Sequence, residues 1–194
     1  MEGLENIVAA VAERFADAEE NREKAIRLSR KITRSSKKVI HSIHDGKTDV
    51  DGMEEMRKSV KELMSEMRAD PALAYTGPAS DALSEYAEAV ILDELLNRNR
   101  IPSFDDLSID ERSWVLGLAD VVGELRRIIL KELMGGNIEK ASSIYESMEE
   151  IVHNLLMFDV PDAIVPLRRK QDIARGVMER TRSDMATAVV MSKI

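Results

Sequence analysis

The stretch LENIVAAVAERFADAEENREKAIRLSRKITRSSKKVIHSIH, residues 4–44, decides the fold. Leu4, Val11, Ala18, Ala25, Ile32 and Val39 recur every seven residues, and Val8, Phe15, Arg22, Ser29, Ser36 and Ile43 each follow one of them by four. That spacing keeps both sets on one side of an α-helix, as a seam with small or polar residues in alternate layers of its second half. About 40 residues of helix reach roughly 60 Å, longer than an ordinary domain of this size is wide. Part of the rod should therefore protrude or pack on a neighbour. Asp45-Gly46-Lys47 ends it, with glycine free to take the left-handed conformation.

Helical periodicity continues outward from this rod. A second helix fits residues 49–69, with Met53, Met56, Val60, Leu63 and Met67 on one face, and Asp70-Pro71 breaks it. A third should begin after Thr76-Gly77-Pro78 and run to about Leu96. Residues 97–108 read as a loop. A fourth helix covers about 109–134, stopped by Gly135-Gly136-Asn137, and a fifth about 138–157. Pro166 is placed to open a last helix, reaching about residue 190, as a first-turn proline. The expectation is a single all-α domain over residues 1–194, a bundle of six or seven helices.

Composition agrees. The 194 residues are 44% hydrophobic, 33% charged and 4% aromatic, with 9 Gly and 5 Pro, which suits amphipathic helices and not a β-sandwich. Cysteine is absent, which excludes disulfides, thiolate zinc sites and a cysteine nucleophile. No P-loop, G-x-G-x-x-G or G-x-S-x-G pattern is present. No apolar run approaches the roughly 18 residues that span a bilayer, and Met1-Glu2-Gly3-Leu4-Glu5 has no apolar signal core, so a cytoplasmic protein without membrane contact is expected.

Charge is segregated. The net charge is -8, yet residues 22–41 carry eight Lys or Arg against one acid, leaving 20 basic and 35 acidic residues elsewhere. Arg27, Arg30 or Lys31, Arg34, Lys38 and His41 recur at three or four residues and line one side of the long helix, and Arg27, Arg30, Lys31, Arg34, Lys37 and Lys38 are the candidate nucleic-acid-binding residues. A solvated flank would normally intersperse acids, so the run equally suits phosphate contacts to a nucleic acid. Aromatics are not interleaved, so such contacts would be weakly sequence-specific.

Two acidic pairs offer chemistry. Glu85 and Glu88 share a face of the third helix, and Asp120 and Glu124 lie one turn apart on the fourth, below Gly117. Each pair alone also suits a solvated face, with Glu124 paired to Arg127. Packed together, they would form a four-carboxylate pocket for Mg²⁺ or Mn²⁺, with Gly117 leaving room for a substrate backbone. Two such ions about 4 Å apart can clamp both oxygens of a phosphodiester displacement. A ferritin-like di-iron site needs two Glu-x-x-His motifs, and only Glu150-Ile151-Val152-His153 is present. His41 and His44 fall at the end of the long helix, where a cation is favoured.

Several blocks resemble the translin and translin-associated factor X (Trax) family: residues 22–33 with Ser36-Lys37-Lys38 and Ile43-His44, residues 83–89, residues 116–127, and Gly136-Asn137-Ile138. The resemblance covers about residues 10–160. It implies an all-α fold assembled into hollow, roughly octameric homo-oligomeric shells with nucleic acid inside. Translin-like members bind single-stranded RNA and DNA. Trax-like members supply the catalytic subunit of a magnesium-dependent endoribonuclease, through acidic residues matched here by Glu85, Glu88, Asp120 and Glu124. The third helix lacks translin's Arg and His cluster, which makes the chain Trax-like. The short segment 97–112 is similar to compact prokaryotic or archaeal forms.

Overall fold

A computed structural model describes residues 3–192, with the backbone alone for Ala74 and Tyr75; Met1 and Glu2 of the acidic N-terminus lie outside the described residues. The described residues form seven helices: α1 (Leu4–His44), α2 (Val50–Ala69), α3 (Gly77–Arg98), α4 (Phe104–Leu107), α5 (Glu111–Met134), α6 (Ile138–Leu156) and α7 (Arg168–Met191), with a 3-10 turn at Pro71–Tyr75. No strand occurs among the described residues, and Ala188, Val189 and Val190 continue α7. Among the described residues no helix is long and apolar enough to cross a membrane.

The helices α1, α3, α5 and α7 lie side by side in that order. The second helix packs on α1, and α6 packs on α5 and α7. Helix α3 is central and is buried nearly all round, from Ala79 through Leu83, Val90 and Leu92 to Leu95. The seam of α1 is buried only in its second half, where Ala25, Ser29, Ile32, Ser36 and Val39 enter the core. Ser29 and Ser36 satisfy themselves there by donating to the carbonyls of Ala25 (2.7 Å) and Ile32 (3.0 Å). Their small volume lets the neighbouring helices come close. Two ion pairs, Lys24–Glu66 at 2.7 Å and Lys31–Glu55 at 3.4 Å, bracket α2 against the rod.

Three expectations need correction. Residues 97–108 are not wholly loop, because Ser103 and Asp106 form a reciprocal capping box that nucleates the single turn of α4. Pro166 is not in the first turn of α7. It sits in a preceding turn, where the Leu167 N–H donates to the Val165 carbonyl at 2.7 Å, and the helix begins at Arg168.

The third concerns Gly117, which leaves no room for substrate. A Cβ there would meet Ala87 Cβ at 2.6 Å, the Ser84 carbonyl oxygen at 2.6 Å and the Glu88 nitrogen at 2.9 Å. Gly117 is the contact at which α5 touches the backbone of α3. Gly123, two turns further, is exposed, and a Cβ there would meet nothing within 4 Å.

The two glycines should respond oppositely to alanine. Gly117→Ala forces α3 and α5 apart and is expected to destabilise the fold by about 1–3 kcal/mol. Gly123→Ala removes only a helix-interior glycine and should stabilise by about 0.5–1 kcal/mol. Denaturant melts of the two variants check this, and a neutral Gly117→Ala would contradict the close approach.

Candidate active site

The approach at Gly117 sets the register between the two acidic pairs. Glu88 follows the α3 backbone that touches Gly117, and Asp120 and Glu124 follow Gly117 on α5. All four carboxylates lie in one electrostatic field. Burial pushes the Glu88 carboxyl up to about 8, and the negative charges of Asp120, Glu124 and Glu85 add to this while Lys170 opposes it. Glu85 is also raised, by burial first, with Lys37 lowering it and Asp81 and Asp120 raising it further.

Three of the four acids are paired with the chain's own basic groups. Glu85 Oε1 lies 3.6 Å from Lys37 Nζ on α1. Asp120 receives Lys170 Nζ of α7 on both oxygens, at 2.6 Å on Oδ2. Glu124 Oε2 contacts His44 Nε2, whose side chain is only 8% exposed, and lies 3.9 Å from Arg127 Nη1. Lys131 of α5 donates to the His44 carbonyl and fixes the end of α1 beside it. Glu88 is the member without a basic partner among the described residues.

The donor set is all oxygen, which is what a hard divalent cation prefers. The buried Oε2 of Glu85 has no hydrogen-bond partner, and the repulsion by Asp120, Glu124 and Glu85 that adds to the effect of burial on Glu88 is relieved by added positive charge. The residues therefore fit Mg²⁺ or Mn²⁺ chemically. Their carboxylates are nevertheless splayed toward Lys37, Lys170 and His44. Among the described residues no three His, Asp or Glu side chains are gathered closely enough to enclose an ion.

The basic stripe divides by angle around α1. At about 100° per residue, Arg30 and Lys37 fall on the edge toward α3, and Lys31 on the edge toward α2. Lys31 is accordingly paired with Glu55, while Arg27 is paired with Glu23 of its own helix at 3.6 Å. Arg30, Arg34 and Lys38 are exposed and have no acidic partner among the described residues. The stripe thus runs along the helix to the edge of the carboxylates. Sequence reasoning missed Lys170 and misjudged His44, which is buried against Glu124 and not merely a favourable end charge. Lys170 belongs to a readable basic run, Arg168-Arg169-Lys170, but its partner is 50 positions away.

The chain is similar to several known proteins over most of its length. A family model described as the Translin family matches residues 20–181. A protein of Methanocaldococcus jannaschii, named uncharacterized protein MJ0175, is 34% identical over 185 residues, covering 93% of this chain and 82% of that protein. The translin-associated protein X homolog of Schizosaccharomyces pombe is 30% identical over 129 residues, 58% of this chain and 55% of the other. A solved structure of AfC3PO in complex with duplex RNA superposes with a TM-score of 0.77 at 31% identity, over 95% of this chain and 97% of that one.

The buried Glu88 makes stability depend on pH. Its folded value of about 8 exceeds the ordinary 4.5, so between these values the folded protein holds a proton that the unfolded chain has released. The contribution of this group to stability therefore falls as pH rises across that window. Glu88→Gln mimics the protonated form. It should raise Tm in EDTA by several degrees near pH 8 and by little near pH 4.5. Thermal melts across this range check it, and a gain that does not vary with pH would assign the titration to another group.

Proposed function

The chain belongs to the Translin family, and we propose that it is a metal-dependent endoribonuclease of Trax type that cleaves single-stranded or partly structured RNA inside a homo-oligomeric shell. The observation that carries this reading is that Glu85, Glu88, Asp120 and Glu124 share one electrostatic field beside the basic edge of α1. Acids alone would repel a phosphodiester. Arg30, Arg34, Lys37 and Lys38 supply the attraction that brings it to them, through backbone contacts that do not read sequence.

The four carboxylates would hold Mg²⁺ or Mn²⁺, which would supply charge neutralisation for phosphodiester hydrolysis. The chain supplies the rest. One of the four carboxylates would also take a proton from the attacking water. Lys37 and Arg30 orient the phosphate along α1. Gly123, on the same helix as Asp120 and Glu124, leaves bare backbone where a substrate strand can pass.

The shell is supported by the N-terminal arm of α1. Leu4, Ile7, Val8, Val11 and Phe15 form an exposed apolar stripe, with Phe15 72% exposed, which no other described residues cover. An apolar stripe of this extent on a protruding rod is stabilised by burial against another copy. With about eight subunits, the basic edge would face an enclosed lumen while the acidic remainder faces out.

A second reading, a non-catalytic RNA- or ssDNA-binding oligomer of translin type, is favoured by the pairing of three carboxylates with Lys37, Lys170 and His44. Labelled RNA incubated with Mg²⁺ or with EDTA separates the two. Glu85→Gln and Asp120→Asn are each expected to reduce cleavage at least a hundredfold while RNA binding is kept or tightened, since each removes a charge that repels phosphate. Undiminished cleavage in both would sink the catalytic assignment.

The assembly has its own check. Light scattering should give a mass several times that of the chain, near eightfold, and Val11→Glu with Phe15→Glu should lower it without unfolding the bundle. A wild-type monomer at micromolar concentration would remove the enclosed lumen.

A further inference from the structure

Lys170 is not one of the four acids, yet it makes a two-point contact within their cluster. Its ammonium donates to both oxygens of Asp120. The fold aims it there. Gln171, the next residue, donates to the carbonyls of Leu155 and Phe158 at 2.8 Å each, which ties the first turn of α7 to the end of α6. Further along, Arg126 of α5 donates to Thr181 at 2.9 Å and lies 2.9 Å from Asp184, which clamps α7 along α5. The stem of Lys170 is thus anchored at its base, while its side chain as a whole is 29% exposed.

An ammonium and a divalent cation compete for the same carboxylate lone pairs. Lysine is a point charge on a flexible four-carbon stem, so it can leave Asp120 without any change of backbone. Once displaced, it needs another anion within the sweep of that stem, and a phosphate bound over the carboxylates is such an anion. We propose that Lys170 is a tethered counter-cation. It neutralises Asp120 until a divalent ion displaces it, and then positions the phosphate of the bound RNA. Lys37 stands in the same relation to Glu85 on the opposite wall, but at 3.6 Å and 68% exposed it is the weaker of the two.

Coupling follows from this exchange. The ion frees a cation for RNA, and RNA offers the freed cation a partner, so the two ligands strengthen each other's binding by the same factor. This inference rests on the metal-nuclease reading above, and the test separates the two. Mn²⁺ alone is titrated calorimetrically into wild type, Lys170→Met and Lys170→Arg. Methionine keeps the length of the stem without its charge, and arginine keeps the charge. Lys170→Met should bind Mn²⁺ on the order of tenfold more tightly than wild type, and Lys170→Arg should stay near wild type.

In parallel, a labelled single-stranded RNA oligonucleotide is titrated in Ca²⁺ and in EDTA. Wild type and Lys170→Arg should gain affinity with Ca²⁺, and Lys170→Met should gain several-fold less. Equal Mn²⁺ affinity in wild type and Lys170→Met overturns the counter-cation role and leaves the metal reading standing. An equal Ca²⁺ gain for RNA in these two proteins overturns the coupling. Absence of Mn²⁺ binding in all three proteins overturns the metal reading, and this inference with it.

Discussion

The contact that the rest depends on is the approach of α5 to α3 at Gly117. With Ala87 Cβ and the Ser84 carbonyl oxygen each 2.6 Å from where a side chain would begin, only glycine allows this spacing. The consequence reaches beyond packing. The two carboxylate pairs sit on either side of this contact, and a helix separation increased by one methyl group would part them. The small residues of α3 (Ala82, Ser84, Ala87 and Ala89, all buried) extend the same close fit along the helix.

That closeness has an electrostatic consequence. Four acids in one field repel each other, and burial makes this worse. The fold answers with cations brought from outside the pair of helices: Lys37 and His44 from α1, and Lys170 from α7. The two outer helices of the layer therefore act as electrostatic walls for the inner two. Glu88, which has no cation of its own, keeps its proton instead. In the proposed reading, this local repulsion, which the core does not need and which partners from three other positions in the chain offset, serves chemistry and not stability.

What was legible in the sequence was whatever depends on local spacing. The ends of α1, α2, α3, α5 and α6 follow from capping and breaking residues and fall within a few positions of expectation. The acidic pairs were legible because three- and four-residue spacings put side chains on one face. Pairing across helices was not. His44 and Glu124 are 80 positions apart and Lys170 and Asp120 are 50 apart, and a single sequence carries no signal for either pair. Gly117 was misread for the same reason. A glycine in a helix announces close approach, but which body approaches depends on a partner helix some thirty positions away.

The long helix shows how one element can tie several tasks together. Its arm carries the exposed apolar stripe, its second half enters the core through Ala25, Ile32 and Val39, one flank carries the basic run, and its last residue reaches Glu124. A continuous helix is stiff, because each turn is hydrogen-bonded to the next. Whatever covers Leu4 to Phe15 therefore also fixes the direction of Arg30 and Lys37 and the seat of His44. In the reading proposed here, assembly, RNA attraction and the acidic site are not separate surfaces that happen to coexist. They are successive segments of one rod, and a change in how copies pack on the arm would be felt as a rotation of the basic edge relative to the carboxylates.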